Sequence, residues 1–466
     1  MSFLIALGAL CFLMFVAYRG MSVILFAPIA ALGAVFLTDP AAVPAMFTGK
    51  FMVAMVSFVQ NYFPVFLLGA VFGKLIELSG FAKSIVAATV RLLGPSQAML
   101  SIVAVGCILT YGGVSLFVVV FAVYPFAAEM FRASNIPKRL IPGTIALGAF
   151  TATMDSFPGT PQIQNIIPTS FFGTNAYAAP ILGTLGGLLI ITLGMVYLEW
   201  RRRTAAAAGE GYGEGHTNEP EVVDATHLPN PWIAISPLVL VGVVNWILTN
   251  KLIPAYYHDG YAIPWITQGQ PGVTVAKISS ISAIWALEGA LLVGILIVMV
   301  FSFKTIVAKF AEGTKSAIAG SLLASMNTAS EYGFGAVVAA LPGFVVVRDA
   351  LAAIPDPLVR EAVTVTSLAG ITGSASGGMG IALAAMATSF KEMATAANIP
   401  FEMLHRVASM ASGGMDTLPH NGAVITLLMV TGLTHKTSYK DIFAITCIKT
   451  GMVFVVIALY YLTGLV

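Results

Sequence analysis

Two short stretches of this 466-residue chain place reactive side chains in otherwise apolar surroundings: Asp155-Ser156-Phe157-Pro158-Gly159-Thr160-Pro161 and Asp416-Thr417-Leu418-Pro419-His420-Asn421-Gly422. Each sets a carboxylate three residues before a proline. Proline removes a backbone donor and clashes with the preceding turn, so a helix should open there. The helix that resumes presents free amides and a positive dipole end, which suits a carboxylate ligand, while the carbonyls left by the interrupted turn suit a cation. An ionised aspartate at the centre of a membrane helix costs roughly 2.5–3.5 kcal/mol to insert, so it normally faces a cavity or a partner. Two roles therefore stay open for Asp155 and Asp416: proton carrier, or cap of the resuming amides. His420 can exchange protons or donate to a ligand. Ser156, Gly159, Thr160, Gln162, Asn165, Thr417 and Asn421 are neutral groups placed to meet hydroxyls or a carboxylate. No arginine or lysine is read into either break, so an anion would be met mainly by amides and hydroxyls, which favours a small monocarboxylate.

Glycine clusters mark two further places. Thr110-Tyr111-Gly112-Gly113-Val114-Ser115 and Gly373-Ser374-Ala375-Ser376-Gly377-Gly378 each sit in the middle of an apolar stretch too long for one crossing. Glycine permits tight reversal and close backbone approach. The stretches 96–131 and 359–390 are accordingly read as re-entrant hairpins. Their tips offer Thr110, Tyr111, Gly112, Gly113 and Ser115, and Ser374, Ser376, Gly377 and Gly378, to the same pocket as the breaks. The bland alternative is that tips and breaks are only kinks and close-packing sites.

These landmarks recur in one order: Gly112-Gly113 and Gly377-Gly378, Glu129-Met130 and Glu392-Met393, Asn135-Ile136-Pro137 and Asn398-Ile399-Pro400, then Met154-Asp155 and Met415-Asp416 with their prolines. The chain is thus an internal repeat. The expected organisation is a first repeat over 1–198, with scaffold 2–73, an interfacial amphipathic helix 78–92, hairpin 96–131, broken helix 139–173 and closing helix 177–198. A linker over 199–230 follows, small, polar and acidic, and is read as flexible. The second repeat spans 231–466, with scaffold 231–345, hairpin 359–390, broken helix 403–432 and closing helix 442–464.

Composition supports a membrane setting. Hydrophobic residues make up 58% and charged residues 9%, where a soluble protein carries about 25% charged. Apolar runs of membrane-spanning length recur. Residues 1–18 lack a positive n-region and a small-residue cleavage site, so they are read as a first span rather than a signal peptide. Ten crossings and two hairpins put both termini on one side. With that side outside, fifteen lysines and arginines fall in cytoplasmic segments and seven, including Arg360 and Arg406, in external ones, as the positive-inside rule asks. Odd crossings per repeat then invert the second copy relative to the first. The fold class expected is an all-α polytopic membrane protein with two inverted-topology repeats, each carrying a re-entrant hairpin and a discontinuous transmembrane helix. The bacterial cytoplasmic membrane is its expected location, with periplasmic termini and a cytoplasmic linker.

Several function classes recede. Three scattered cysteines, Cys11, Cys107 and Cys447, give no paired spacing, and no metal or cofactor is expected. A net charge of +2 argues against nucleic acid as a partner. No nucleophile–base pair or HExxH spacing suggests an embedded enzyme. An anion channel should show a continuous polar stripe, whereas here the polar content is gathered in two copies of one break.

The runs at 110–125, 131–143, 155–174 and 413–428 resemble the gluconate permease family, proton symporters within a larger group of ion transporters built from inverted repeats. The resemblance covers nearly the whole chain outside the linker. It implies proton-coupled uptake of a hydroxy monocarboxylate, and the segment from Thr110 to Val123 looks closer to the short hydroxy-acid, hydroxybutyrate-type branch than to the sugar-acid branch. It also implies a homodimer in which a scaffold holds still while 96–173 and 359–432 move. Asp155, Asp416 and His420 are the expected proton-coupling residues. Sodium as the coupling ion stays open.

Overall fold

The computed structural model describes residues 2–19, 21–94, 97–220, 228–257, 260–262, 274–276, 278–346 and 353–466. These residues are predominantly helical, and among them one short antiparallel strand pair occurs, Gly260–Ala262 with Thr274–Ala276. Among the described residues, six helical stretches are long and apolar enough to cross a bilayer: Pro40–Leu78, Leu116–Ala133, Pro180–Ala207, Pro231–Tyr256, Ile281–Val307 and His435–Thr463. Four shorter apolar helices accompany them. The protein is a polytopic, all-α membrane protein.

In the first half the helices that matter are α1 (Ser2–Tyr18), α2 (Val23–Thr38), α3 (Met52–Leu78), α4 (Phe81–Leu93), α5 (Ala98–Tyr111), α6 (Leu116–Ala133), α7 (Ile141–Ala149), α8 (Ala152–Asp155), α9 (Ile163–Phe172) and α10 (Pro180–Ala207). In the second half they are α11 (Pro231–Ile247), α12 (Ile278–Val307), α13 (Phe310–Ala340), α14 (Pro357–Thr372), α15 (Ala375–Ala396), α16 (Phe401–Ser412), α17 (Gly422–Thr431) and α18 (His435–Thr463). α5–α6 and α14–α15 form the two hairpins. α7–α8–α9 and α16–α17 are the interrupted helices. At 1.5 Å per residue, α9 and α17 are about 15 Å long, half of an about 30 Å hydrocarbon core.

The two halves repeat one another down to backbone conformation. Asn135 and Asn398 both take left-handed φ, +50° and +54°, and Gly173 and Gly432, just past α9 and α17, take +68° and +66°. Packing repeats as well: α1 lies on α2 as α11 lies on α12, and α2 packs on α13 as α12 packs on α3. α3 and α13 face each other at the centre. Among the hairpins and interrupted helices, α5 packs on α7 as α14 packs on α16. The first of these contacts is nearly backbone to backbone, since a Cβ on Gly106 would lie 3.0 Å from Gly148 C and one on Gly148 2.7 Å from Val103 O. Small residues allow this approach where lipid supplies no hydrophobic drive between helices.

The structure departs from the expected linker. α10 continues through Ala207, because Glu199 pairs with Arg202 at 2.6 Å and Arg203 at 2.8 Å one turn on, followed by a strongly helix-forming alanine run. Beyond it the chain is strapped down. Arg139 Nε donates to Glu210 Oε1 at 2.6 Å, Lys138 Nζ lies 2.7 Å from Glu219, and Asn218 Nδ2 donates to Val430 O at 3.0 Å. Residues 221–227 of the expected linker, and residue 96 of the expected first hairpin, lie outside the described residues.

Candidate functional site

A cavity of about 1100 Å³ separates α3 and α13 from the hairpin tips and the two breaks. Four helices begin at its wall. Their N-cap residues are Ser115 for α6, Gln162 for α9, Ser374 for α15 and Asn421 for α17, and all four line the space. Each start brings unpaired amides and a positive dipole end. In the second half the caps serve their own helices: Ser374 Oγ accepts from Gly377 N at 3.0 Å and Asn421 Oδ1 from Val424 N at 2.9 Å. In the first half Ser115 and Gln162 make no such side-chain cap. The first-turn amides of α6 and α9 therefore keep capacity for a bound anion. At one end the wall includes Lys74 and Glu77, paired at 2.8 Å.

The residues expected to bind fall into two groups. Gly113, Ser115, Gln162, Ser374, Ser376, Asp416, Thr417, His420 and Asn421 line the cavity. Of the others, Tyr111 is exposed outside the cavity lining and the rest are buried behind its wall, and hydrogen bonding or close packing uses them all. Thr110 and Ser156 are fully buried, and Ser156 Oγ donates to Asp155 Oδ1 at 2.7 Å. Tyr111 donates to Pro158 O at 2.8 Å, Thr160 Oγ1 to Thr153 O at 2.6 Å, and Asn165 Nδ2 to Ala176 O at 2.8 Å. Gly112 packs against Leu238, Gly159 against Tyr177, Gly377 against Glu331 and Gly378 against the backbone of Ala369. These residues shape the tips and the first break rather than face the space. Asp155 also lies behind the wall, 1% exposed.

One expectation is corrected. Two basic side chains do sit at the breaks: Arg406, assigned from sequence to an external segment, and Lys449, inside the closing helix. Arg406 is fully buried and donates to Asp155 O at 3.1 Å and Ala178 O at 2.7 Å. Lys449 Nζ donates to Phe150 O at 3.0 Å and Asp416 Oδ1 at 2.8 Å. Both cations satisfy carbonyls left open at helix C-terminal ends, where positive charge is favourable. The carbonyls at Phe150 and Asp155 are thus occupied by the protein's own cations. Asp155 feels Lys449, Asp416 and Arg406 electrostatically, and its carboxylate lies so close to Gly413 that a methyl there would collide with Oδ2. The two breaks therefore share one buried cluster of two acids and two bases. His405 joins it at the edge, Nε2 lying 3.2 Å from Asn165 Oδ1. An ionisable residue inside an apolar run, as Lys449 is, was the available signal.

With this geometry in place, comparison with known proteins is decisive for the family. The model of the GntP family permease matches residues 62–287. A Bacillus subtilis (strain 168) protein, described as uncharacterized transporter YxjC, is 57% identical over 475 residues, covering 100% of both chains. This chain belongs to the GntP permease family. It is a membrane transporter and not an enzyme. Two solved structures share the fold of this GntP family permease at low identity. The Alcanivorax borkumensis YdaH transporter has a TM-score of 0.53 and 14% identity, over 92% of this chain and 90% of that one. Neisseria gonorrhoeae MtrF, described among antimetabolite efflux pumps, has a TM-score of 0.53 and 12% identity, over 88% and 83%.

Proposed function

We propose that this GntP family permease is a proton-coupled, alternating-access carrier that takes up a small hydroxy monocarboxylate, such as 3-hydroxybutyrate or a gluconate-like sugar acid. The observation that carries this reading is the convergence of four helix N-caps, Ser115, Gln162, Ser374 and Asn421, on one cavity. Amide ends attract one carboxylate, and the neighbouring Thr417 and Ser376 hydroxyls suit the hydroxyl of the same ligand. No further basic side chain is needed, because Arg406 and Lys449 are already held by backbone carbonyls and Asp416.

Asp155 is the proton-coupling carboxyl of the breaks. Among the described residues its side chain is hydrogen-bonded by Ser156, whereas that of Asp416 is paired with Lys449. His420 stands on the cavity wall as a substrate contact and proton partner. The occupied carbonyls at Phe150 and Asp155 support a proton over sodium. The carrier is a homodimer of the bacterial cytoplasmic membrane, its termini periplasmic and its repeats inverted. α5–α9 and α14–α17 move against a scaffold of α1–α3 and α11–α13.

Uptake of labelled 3-hydroxybutyrate into proteoliposomes, under separately imposed proton and sodium gradients and with gluconate as competitor, tests it. Proton-driven accumulation is expected. Accumulation driven by sodium alone would replace the coupling ion. Downhill flux that no gradient can turn uphill would favour a channel.

A further inference from the structure

The seam between α13 and α15 holds a carboxyl that this reading has not used. Thr328, Glu331, Tyr332 and Gly335 follow helical spacing and share one face of α13. They meet the start of α15. Thr328 Oγ1 lies 3.3 Å from Ser376 Oγ. A Cβ on Gly335 would sit 2.9 Å from Ile381 Cα, and one on Gly380 2.7 Å from Tyr332 Cδ2. A Cβ on Gly377 would collide with Glu331 Oε2. Glycines thus let the two helices touch, and the Glu331 carboxyl lies in the middle of the contact. It is 3% exposed, and Oε2 has no hydrogen-bond partner among the described residues. Glu331 also lines the cavity.

Among the described residues no ion pair answers its charge. α2 carries no titratable side chain. On α3, Lys74 is paired with Glu77, and Tyr62 bonds to Ile167 O and Ser170. Lys50 precedes α3, Glu288 and Lys304 lie on α12, Glu312 and Lys315 lie near the start of α13, and Lys391 and Glu392 lie toward the end of α15. None of these makes an ion pair with Glu331, and neither does Asp416 or His420 across the cavity. The Gly377 amide is already given to Ser374 Oγ. An ionised carboxylate left this way is strongly disfavoured.

Packing alone does not call for an acid here. Asn61 and Gly69-Ala70-Val71 of α3 stand in the same register as Asn327 and Gly335-Ala336-Val337 of α13. In that register Glu331 corresponds to Val65, which lines the same cavity. One half has valine where the other has an unpartnered acid.

We propose that Glu331 is a second proton-binding site, on the scaffold side, which takes a proton from the cavity as α15 seats on α13 and returns it when the second hairpin leaves. This deepens the carrier reading and rests on it: the hairpin engages the scaffold only with Glu331 neutral, so proton occupancy and domain position change together. The proton moves between water and the carboxyl, and no other bond is made or broken.

Infrared spectroscopy of the reconstituted full chain at neutral pH tests this without any substrate, so its outcome stands apart from whether 3-hydroxybutyrate is carried. The wild-type protein should show a protonated-carboxyl C=O band that Glu331→Gln lacks. Identical bands in the two proteins would overturn the proposal. Should Glu331→Gln elute aggregated, Glu331→Asp keeps the acid on a shorter arm and must shift the band; an unmoved band overturns the proposal equally. Where uptake of labelled 3-hydroxybutyrate is measurable, Glu331→Gln should keep exchange across equal pH and lose uphill accumulation. Accumulation equal to wild type would count against it.

Discussion

Lys449 and Asp416 sit 2.8 Å apart, and the same ammonium reaches Phe150 O at 3.0 Å, so one side chain on the last helix ties the acid of the second break to the carbonyl end of the first. Lys449 is buried and Asp416 keeps only a small exposed face toward the cavity, which makes the pair costly to break and close to neutral to replace whole.

Lys449→Met should therefore destabilise the folded protein by about 3–5 kcal/mol, because it strands Asp416. Thermal unfolding in detergent would show a lowered midpoint. Adding Asp416→Asn to that variant should recover much of the loss while transport stays impaired. A double variant no more stable than the single one would mean that the lysine acts mainly on Phe150 O.

Asp155→Asn is expected to abolish proton-driven accumulation while the protein still reaches the membrane. Arg406 and Ser409 hold the Asp155 backbone carbonyl, not its side chain, so the break should keep its shape. Membrane yield and uptake measured side by side separate the two effects. Uptake at the wild-type level would remove Asp155 from coupling.

The hairpin tips should differ in tolerance. A methyl on Gly378 would run into the backbone of Ala369 and Leu368, which cannot swing away, whereas one on Gly112 meets only the side chain of Leu238. Gly378→Ala should cost about 1–3 kcal/mol, as overpacking does, and block uptake. Gly112→Ala should be milder on both counts. Equal losses would show that the first tip is as rigid as the second.

On the strap after α10, the Arg139 guanidinium holds the Glu210 carboxyl below its ordinary range. Since the folded value is depressed, the contact stabilises above the unfolded glutamate value of about 4.3 and is lost as pH falls through the lower, folded value. Both groups are partly exposed, so the contribution is at most about 1 kcal/mol. Limited proteolysis at falling pH should show the strap becoming cleavable in acid, and earlier in Glu210→Gln.

Much of this architecture was legible because helix breakers stand out in apolar runs. Pro158, Pro419 and the paired glycines at the tips are local signals, and each marks an interruption that needs no distant partner to be noticed. The charges were harder. Arg406 lies near the start of the expected broken helix 403–432 and was counted with the external charges; only its reach to Asp155 O and Ala178 O, more than 200 residues away in sequence, explains its burial. Lys449 is one of three lysines in the 29-residue α18, the other two lying near its polar start, and averaging over the apolar remainder hides it. Glu331 sits among small residues that look like ordinary helix packing, and its isolation depends on the absence of a partner, which no window along the chain can register. The strap was read as a flexible tether because its residues are small and polar, yet Asn218 donates to Val430 O in the second half and Thr217 O accepts from Lys138 Nζ in the first, partners distant in sequence.

The interrupted helices trade neighbours. α9 of the first half packs on α15 of the second, and α17 of the second packs on α6 of the first. A half-length chain would consequently leave the cavity wall incomplete: its half-helix α9 or α17 would lose the hairpin of the other half against which it packs. A protein split between its halves should regain its cavity only when both pieces are made together.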